Sequence, residues 1–329
     1  MRVLVTGASG MLGSATARAL AARGDRVTVL QRRPAGLGLP EVLADVADTE
    51  AVRSAVAGHD AVVHLAAKVD VTGPWAAYAR ANVAGTQAVV AACQAAGVER
   101  LVHVSSPSVA HAGDSLVGAG AAAAAPTRVR GAYARSKAMA EQIALGADSG
   151  GLAVTAIRPH LVWGPGDTQL VGRVVARARA GRLLLVGSGA ALIDSTYVDN
   201  AATALLAALD RCPEVAGQAL VVTNGEPRPV AELLVGICAA AGVPGPRRRV
   251  PRGLAYRAGW LVEGLWAARA LAGLTGDPPM TRFVVEQLST AHWFDQRRTH
   301  ELLQWQPAIS LDQGFAALAT WFQTLDTRK

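Results

Sequence analysis

Cysteine is almost absent from this chain: Cys93, Cys212 and Cys238 are the only three in 329 residues. They lack metal-ligand spacing and cannot all pair with one another, which argues against a zinc site or a disulfide framework. We expect reduced, buried thiols, no metal and a cytoplasmic location. The opening "MRVLVTGASG" has no charged segment followed by an apolar run, so no signal peptide is expected. Charge-free apolar runs of membrane length are missing too. The nearest approach, residues 253–276, is interrupted by Arg257, Glu263 and Arg269. These six-residue steps rotate about 600° each on a helix and point three ways. That leaves neither a span nor one clean apolar face. The reading is a packed helix lining an apolar pocket, with peripheral membrane contact as the lesser alternative. Lysine is scarce as well, and the net charge of +7 rests on dispersed arginines. The one tight cluster, Arg247 to Arg249, has no interleaved aromatics, so no nucleic-acid partner is expected.

What the chain does have is hydrophobic content, 51%, enough for a large core and two lobes. Short apolar runs ("RVLVTG", "RVTVLQ", "DAVVHLAA", "RLVHVSS", "LAVTAIRP") alternate with Ala-rich helical segments. Runs without period-two alternation suit strands buried on both faces, and strand–helix alternation implies parallel crossovers. The fold class is α/β: a Rossmann-like, doubly wound parallel sheet with a smaller, discontinuous substrate lobe. The first domain takes residues 1–164 plus about 196–224, and the second about 165–195 and 225–329. Low complexity at 118–131 suggests a mobile loop.

"VTGASGMLG" places Gly7, Gly10 and Gly13, with Ser9, Met11 and Leu12 between them, after the first strand and at the first helix. Such a turn lets a pyrophosphate approach the backbone and rest on the helix N-terminus. The second strand ends in Gln31, Arg32 and Arg33, where an NAD enzyme carries a carboxylate for the ribose 2′-hydroxyl. Two guanidiniums there suit a 2′-phosphate, so NADP(H) is expected, with NAD(H) as the alternative. Asp45 and Val46 follow the third strand, as an adenine clamp or, for Asp45, a helix N-cap. In "GAYARSKAMAEQ", Tyr133 and Lys137 stand four apart on one helix face. A lysine there favours the phenolate, as a proton-transferring tyrosine needs, although a solvated lysine beside a half-buried tyrosine is equally compatible with the spacing.

The order of these pieces, with "HLAA", "NVAGT", "VSSPSVA", "RPHLVWGPGD" and "STYVDNAA", resembles the extended short-chain dehydrogenase/reductase family over almost the whole chain. The resemblance implies that Tyr133 gives its proton to a forming alkoxide and that Lys137 holds the nicotinamide ribose. Ser106, with Ser105 as fallback, would bind the carbonyl oxygen. Asn82 would position the helix and a relay water, or serve as an internal backbone-binding residue. Leu65, Ala66, Ala67, Lys68 and Pro159 would join the cofactor contacts. Lys68, His160 and Trp163 would face substrate, Lys68 on a carboxylate or on the pyrophosphate. Within the family the chain looks similar to reductases of long-chain 2-alkyl-3-oxoalkanoates from olefin biosynthesis, which implies an acyl ketone substrate. The Ala-rich loop before Tyr133 departs from that subgroup. Alternatives are a 3β-hydroxysteroid dehydrogenase-like enzyme on a sterol-like ketone, a nucleotide-sugar epimerase, and a non-catalytic NADPH-sensing or scaffold protein. A homo-oligomer and assembly with other olefin-pathway enzymes are further expectations.

Overall fold

A computed structural model describes residues 1–70, 73–111, 113–271 and 281–327. Seven parallel strands form the main sheet: β1 (Arg2–Thr6), β2 (Arg26–Gln31), β3 (Glu41–Leu43), β4 (Ala61–His64), β5 (Arg100–Val104), β6 (Ala153–Pro159) and β7 (Ala219–Val222). Their spatial order is β7-β6-β5-β4-β1-β2-β3. The chain thus starts in the middle, winds to one edge, and returns to build the other, leaving a crevice at the switch point between β1 and β4.

Burial explains the unalternated strand sequences. Val3, Leu4 and Val5 are all fully buried, because helices cover both faces of the sheet. One layer gathers Val3, Val5, Leu20 and Leu205; the other gathers Leu4, Val52, Val89 and Leu101. Each such side chain contributes about 1.5–3 kcal/mol on burial. A third core, around Trp163, Val174, Leu234 and Leu318, belongs to the smaller lobe. That lobe carries a four-stranded sheet in the order Arg228–Pro229, Leu192–Ile193, His292–Phe294, Leu116–Ala119. After it the chain returns to the main sheet, where Thr299 Oγ1 donates to the Val221 carbonyl and Trp305 joins the first core.

The 118–131 segment is held rather than mobile. Leu116–Ala119 pairs with His292–Phe294, and the Ala125 amide donates to the Val109 carbonyl. Arg158 Nη1 and Gln142 Nε2 donate to the carbonyls of Ala122 and Ala124 at 2.7 and 2.9 Å. These anchors are backbone carbonyls met by distant side chains, so the alanines themselves give no sign of them.

Candidate active site

The first turn is built by close approach. Gly7 has φ +80°, and a Cβ there would lie 2.8 Å from the Ala66 backbone. At Gly13 a Cβ would lie 2.3 Å from the Gly7 carbonyl oxygen. Gly10 is the N-cap of helix Met11–Ala22, and no side chain caps it. The opening amides are therefore offered to a ligand, and the arrangement fits a dinucleotide pyrophosphate. Ser9 and Gly10 are exposed on this turn, Met11 and Leu12 half-buried, and Leu65 to Ala67 stand half-buried across from it at the end of β4.

At the end of β5 the chain turns through Ser105 and Ser106. Ser106 caps a short turn, Pro107–Ala110, by accepting from the Ser108 amide. The helix Ala132–Leu145 brings Tyr133 and Lys137 to the same end of the sheet. Burial pushes the Tyr133 phenol up, and a hydrogen bond with Ser106 partly offsets it. Lys137 is buried and donates to the Val104 carbonyl at 2.6 Å. Burial pulls its ammonium down to about 8, against the field of Glu141. The expected lowering of the phenol by Lys137 is therefore not found: burial dominates, and the lysine is turned onto β5. Ser105 Oγ is buried with no hydrogen-bond partner among the described residues.

A buried polar chain ties this helix to the first turn. Thr6 Oγ1 meets His64 Nδ1 at 2.8 Å, and His64 Nε2 meets Thr86 Oγ1 at 3.1 Å. Thr86 donates to the Asn82 carbonyl, so His64 must carry its proton on Nε2. Asn82 Nδ2 then donates to Ser136 Oγ at 2.8 Å, and Ser136 donates to the Tyr133 carbonyl. Burial and Lys137 hold His64 down at about 3, so this chain stays neutral. Asn82 also accepts from the Lys68 amide and donates to its carbonyl, inside a π-helical turn, Ala79–Ala84. Both of its readings have contacts here: the Lys68 backbone, and Ser136 on the Tyr133 helix.

The comparisons follow this geometry. Residues 3–222 match the model of the NAD dependent epimerase/dehydratase family. The chain belongs to that family, the extended short-chain dehydrogenases. It is 42% identical over 327 residues to a 2-alkyl-3-oxoalkanoate reductase of Stenotrophomonas maltophilia (strain K279a), covering 97% of this chain and 98% of that one. It is 39% identical to a protein of the same name from Shewanella oneidensis, covering 95% and 84%. Among solved structures it resembles MoeE5 in complex with UDP-glucose and NAD, with a TM-score of 0.74, 25% identity and full coverage of both chains. As a member of this extended dehydrogenase family the chain is an oxidoreductase of the ketoreductase type, dependent on a nicotinamide dinucleotide.

Several residues expected at the site of this short-chain dehydrogenase lie elsewhere. Trp163 is fully buried, stacked on Phe315, and its Nε1 donates to Ser195 Oγ, so it is core of the smaller lobe and not a substrate contact. His160 is buried, with Nδ1 donating to the Asp194 carbonyl at 2.6 Å and its ring against Phe294. It serves the joint between lobes. Lys68 is ion-paired to Asp70 and lies over the Tyr78 ring, so it is not a free cation. Asp45 is not the helix N-cap: Asp48 caps Thr49–Val56. The Ala47 amide, then Arg80, hold the Asp45 carboxyl below its ordinary range. Val46 is buried against Gly85, and Pro159 is buried at the end of β6. The stretch at residues 253–276 is a helix, Arg252–Leu271, up to 271, and the remainder lies outside the described residues. Leu254, Trp260, Leu261 and Leu265 face outward, while Ala255, Tyr256 and Gly259 pack on neighbouring elements and Arg252, Tyr256 and Arg257 line a cleft, so the packed-helix reading holds for the inner face alone.

Two features were missed. Glu41, from the neighbouring strand, accepts from Gln31 Nε2 and from the Ala35 amide, bringing a carboxylate to the end of β2. Arg158 and Glu141 form a buried bidentate pair, at 2.8 and 2.5 Å, locking the Tyr133 helix to β6. The Arg in "AIRPH" and the Glu in "MAEQ", both inside apolar segments, were the available signals.

Proposed function

We propose that the protein is an NADPH-dependent reductase that converts a long-chain 2-alkyl-3-oxoalkanoate to the 2-alkyl-3-hydroxyalkanoate. The observation that carries this is the convergence of Ser106, Tyr133 and Lys137 at the end of β5, beside the glycine turn, in a chain 42% identical to a reductase so named. A bound nicotinamide supplies the hydride. Tyr133, protonated at neutral pH, donates its phenolic proton to the alkoxide as it forms. Ser106 donates to the carbonyl oxygen and aligns it, while Lys137 leaves the Val104 carbonyl for the nicotinamide ribose. Asn82 acts as a positioning residue through Ser136. Arg32 and Arg33, both exposed, hold the 2′-phosphate of NADPH, and Glu41 is kept off it by Gln31 and the Ala35 amide.

The test follows nicotinamide absorbance with a racemic long-chain 2-alkyl-3-hydroxy acid and NADP+ or NAD+, run in reverse because β-keto acids decarboxylate. A 3β-hydroxysteroid and a UDP-sugar run alongside. The expected result is turnover of the hydroxy acid, with kcat/KM higher for NADP+ than for NAD+. Oxidation of the steroid alone would move the substrate class and keep the mechanism. A cofactor ratio near or below one would remove the role given to Arg32 and Arg33.

A further inference from the structure

The helix Arg252–Leu271 packs through small residues and leaves several large apolar ones exposed. Its inner seam is small: Ala255 is buried, and Gly259 lies so close to the Arg282 backbone that a Cβ would stand 3.0 Å from its nitrogen. Its large side chains point out: Leu254, Trp260, Leu261 and Leu265 are 60, 61, 63 and 58% exposed. At 100° per residue, Leu254, Leu261 and Leu265 fall within about 40° of one another, Arg257 lies about 40° beyond Leu261, and Trp260 about 60° beyond that. Soluble surfaces rarely expose such a ridge unless something covers it.

The charges beside it say what covers it. Arg247, Arg248 and Arg249 feed into the helix, and Arg252 and Arg257 stand on its first turns; all five are exposed. Among the described residues none of the five is in an ion pair. Glu263, the one acidic residue of the helix, is taken by Arg282 at 2.7 Å. A short leucine ridge bordered by unpaired arginines, with an exposed tryptophan beyond Arg257, matches the interface of an anionic bilayer: leucines enter the acyl boundary and guanidiniums meet phosphates. A second copy of this chain fits less well, since a two-fold contact would bring the same arginines face to face. We infer that this helix docks the enzyme on an anionic phospholipid surface.

A cleft of about 470 Å³ opens at the foot of the helix, lined by Arg252, Tyr256 and Arg257 on one side and Gly113, Arg130 and Glu286 on the other. Arg130, on the far wall of this cleft, is three residues before Tyr133 in the chain. This inference is independent of the substrate reading, because its test needs no turnover.

The test is flotation of the full chain with phosphatidylcholine vesicles, with and without phosphatidylglycerol. Two variants accompany it: Trp260→Ser/Leu261→Ser/Leu265→Ser, and Arg248→Ala/Arg249→Ala. Helical circular dichroism and an unchanged Kd for NADPH verify that both remain folded. The wild type is expected to float with the anionic vesicles only and to be released by salt. The serine variant should lose at least tenfold in partitioning, and the alanine variant about fivefold per arginine. Flotation of neither vesicle type by the wild type, or unchanged flotation of both variants, overturns the inference. So does a dimer in light scattering that the serine variant dissociates while no vesicle is bound.

Discussion

Two regions of the molecule are built in opposite ways. On the nucleotide side a run of buried polar groups is joined: Thr6, His64, Thr86, Asn82 and Ser136 hand hydrogen bonds from β1 to the carbonyl of Tyr133. On the far side, the helix Arg252–Leu271 meets its neighbour through alanine and glycine and turns its leucines out. One side is rigid because an unpaired buried polar group would be costly. The other is lightly anchored, as suits a surface whose partner lies outside the chain. The lesson is that one fold uses two materials: a neutral hydrogen-bonded core holds the tyrosine, and an apolar ridge is left exposed.

The comparison is broken most severely by attacking the core. Arg158→Met should strand the Glu141 carboxylate in the interior and destabilise the protein by about 3–5 kcal/mol. The carbonyl of Ala122 would lose its donor at the same time. Urea unfolding monitored by circular dichroism measures the loss, and no such change is expected for the serine variant of the outer ridge.

A smaller effect of opposite sign sharpens it. Lys137 is held down at about 8 by burial, below its ordinary 10.5. The unfolded chain therefore binds more protons than the folded one between those values, so stability rises with pH from about 8 to 10.5 and the penalty is fully present below 8. Lys137→Met removes the buried charge and keeps the stem. It is expected to stabilise the cofactor-free enzyme at pH 7 by up to about 3 kcal/mol while abolishing turnover. Unfolding midpoints of the two proteins at pH 7 and pH 10.5 should converge at the higher pH; parallel curves would contradict the assignment.

The same contrast governs what could be read from the sequence. The sheet, the glycine turn and the Tyr133–Lys137 pair were legible because each depends on local spacing: strand apolarity, a tight turn, one helical turn. The Asn82 contacts fitted both readings, but its partners Lys68 and Ser136 lie fourteen and fifty-four residues away. Trp163, His160 and Lys68 make contacts that their neighbours in sequence do not announce. Each sits next to site residues in sequence, yet packing sends it to the lobe core, the Asp194 carbonyl or Asp70. Glu41 was invisible because it reaches the end of β2 from another strand. The outward leucines of the helix Arg252–Leu271 escape a reading of its charges, because the small residues Ala255 and Gly259 mark the inner seam only through the packing.

The most direct test of the central claim, that the tyrosine at the end of the polar chain moves the proton, is Tyr133→Phe. It removes one hydroxyl and leaves the Tyr133 carbonyl, which Ser136 holds, in place. Its kcat for oxidation of the 2-alkyl-3-hydroxy acid by NADP+ is compared with the wild type, alongside the Kd for NADPH. The expected result is a fall in kcat of about 10²–10⁴-fold with the Kd unchanged. A variant that keeps more than a tenth of wild-type kcat would contradict the account and require another proton donor in the site.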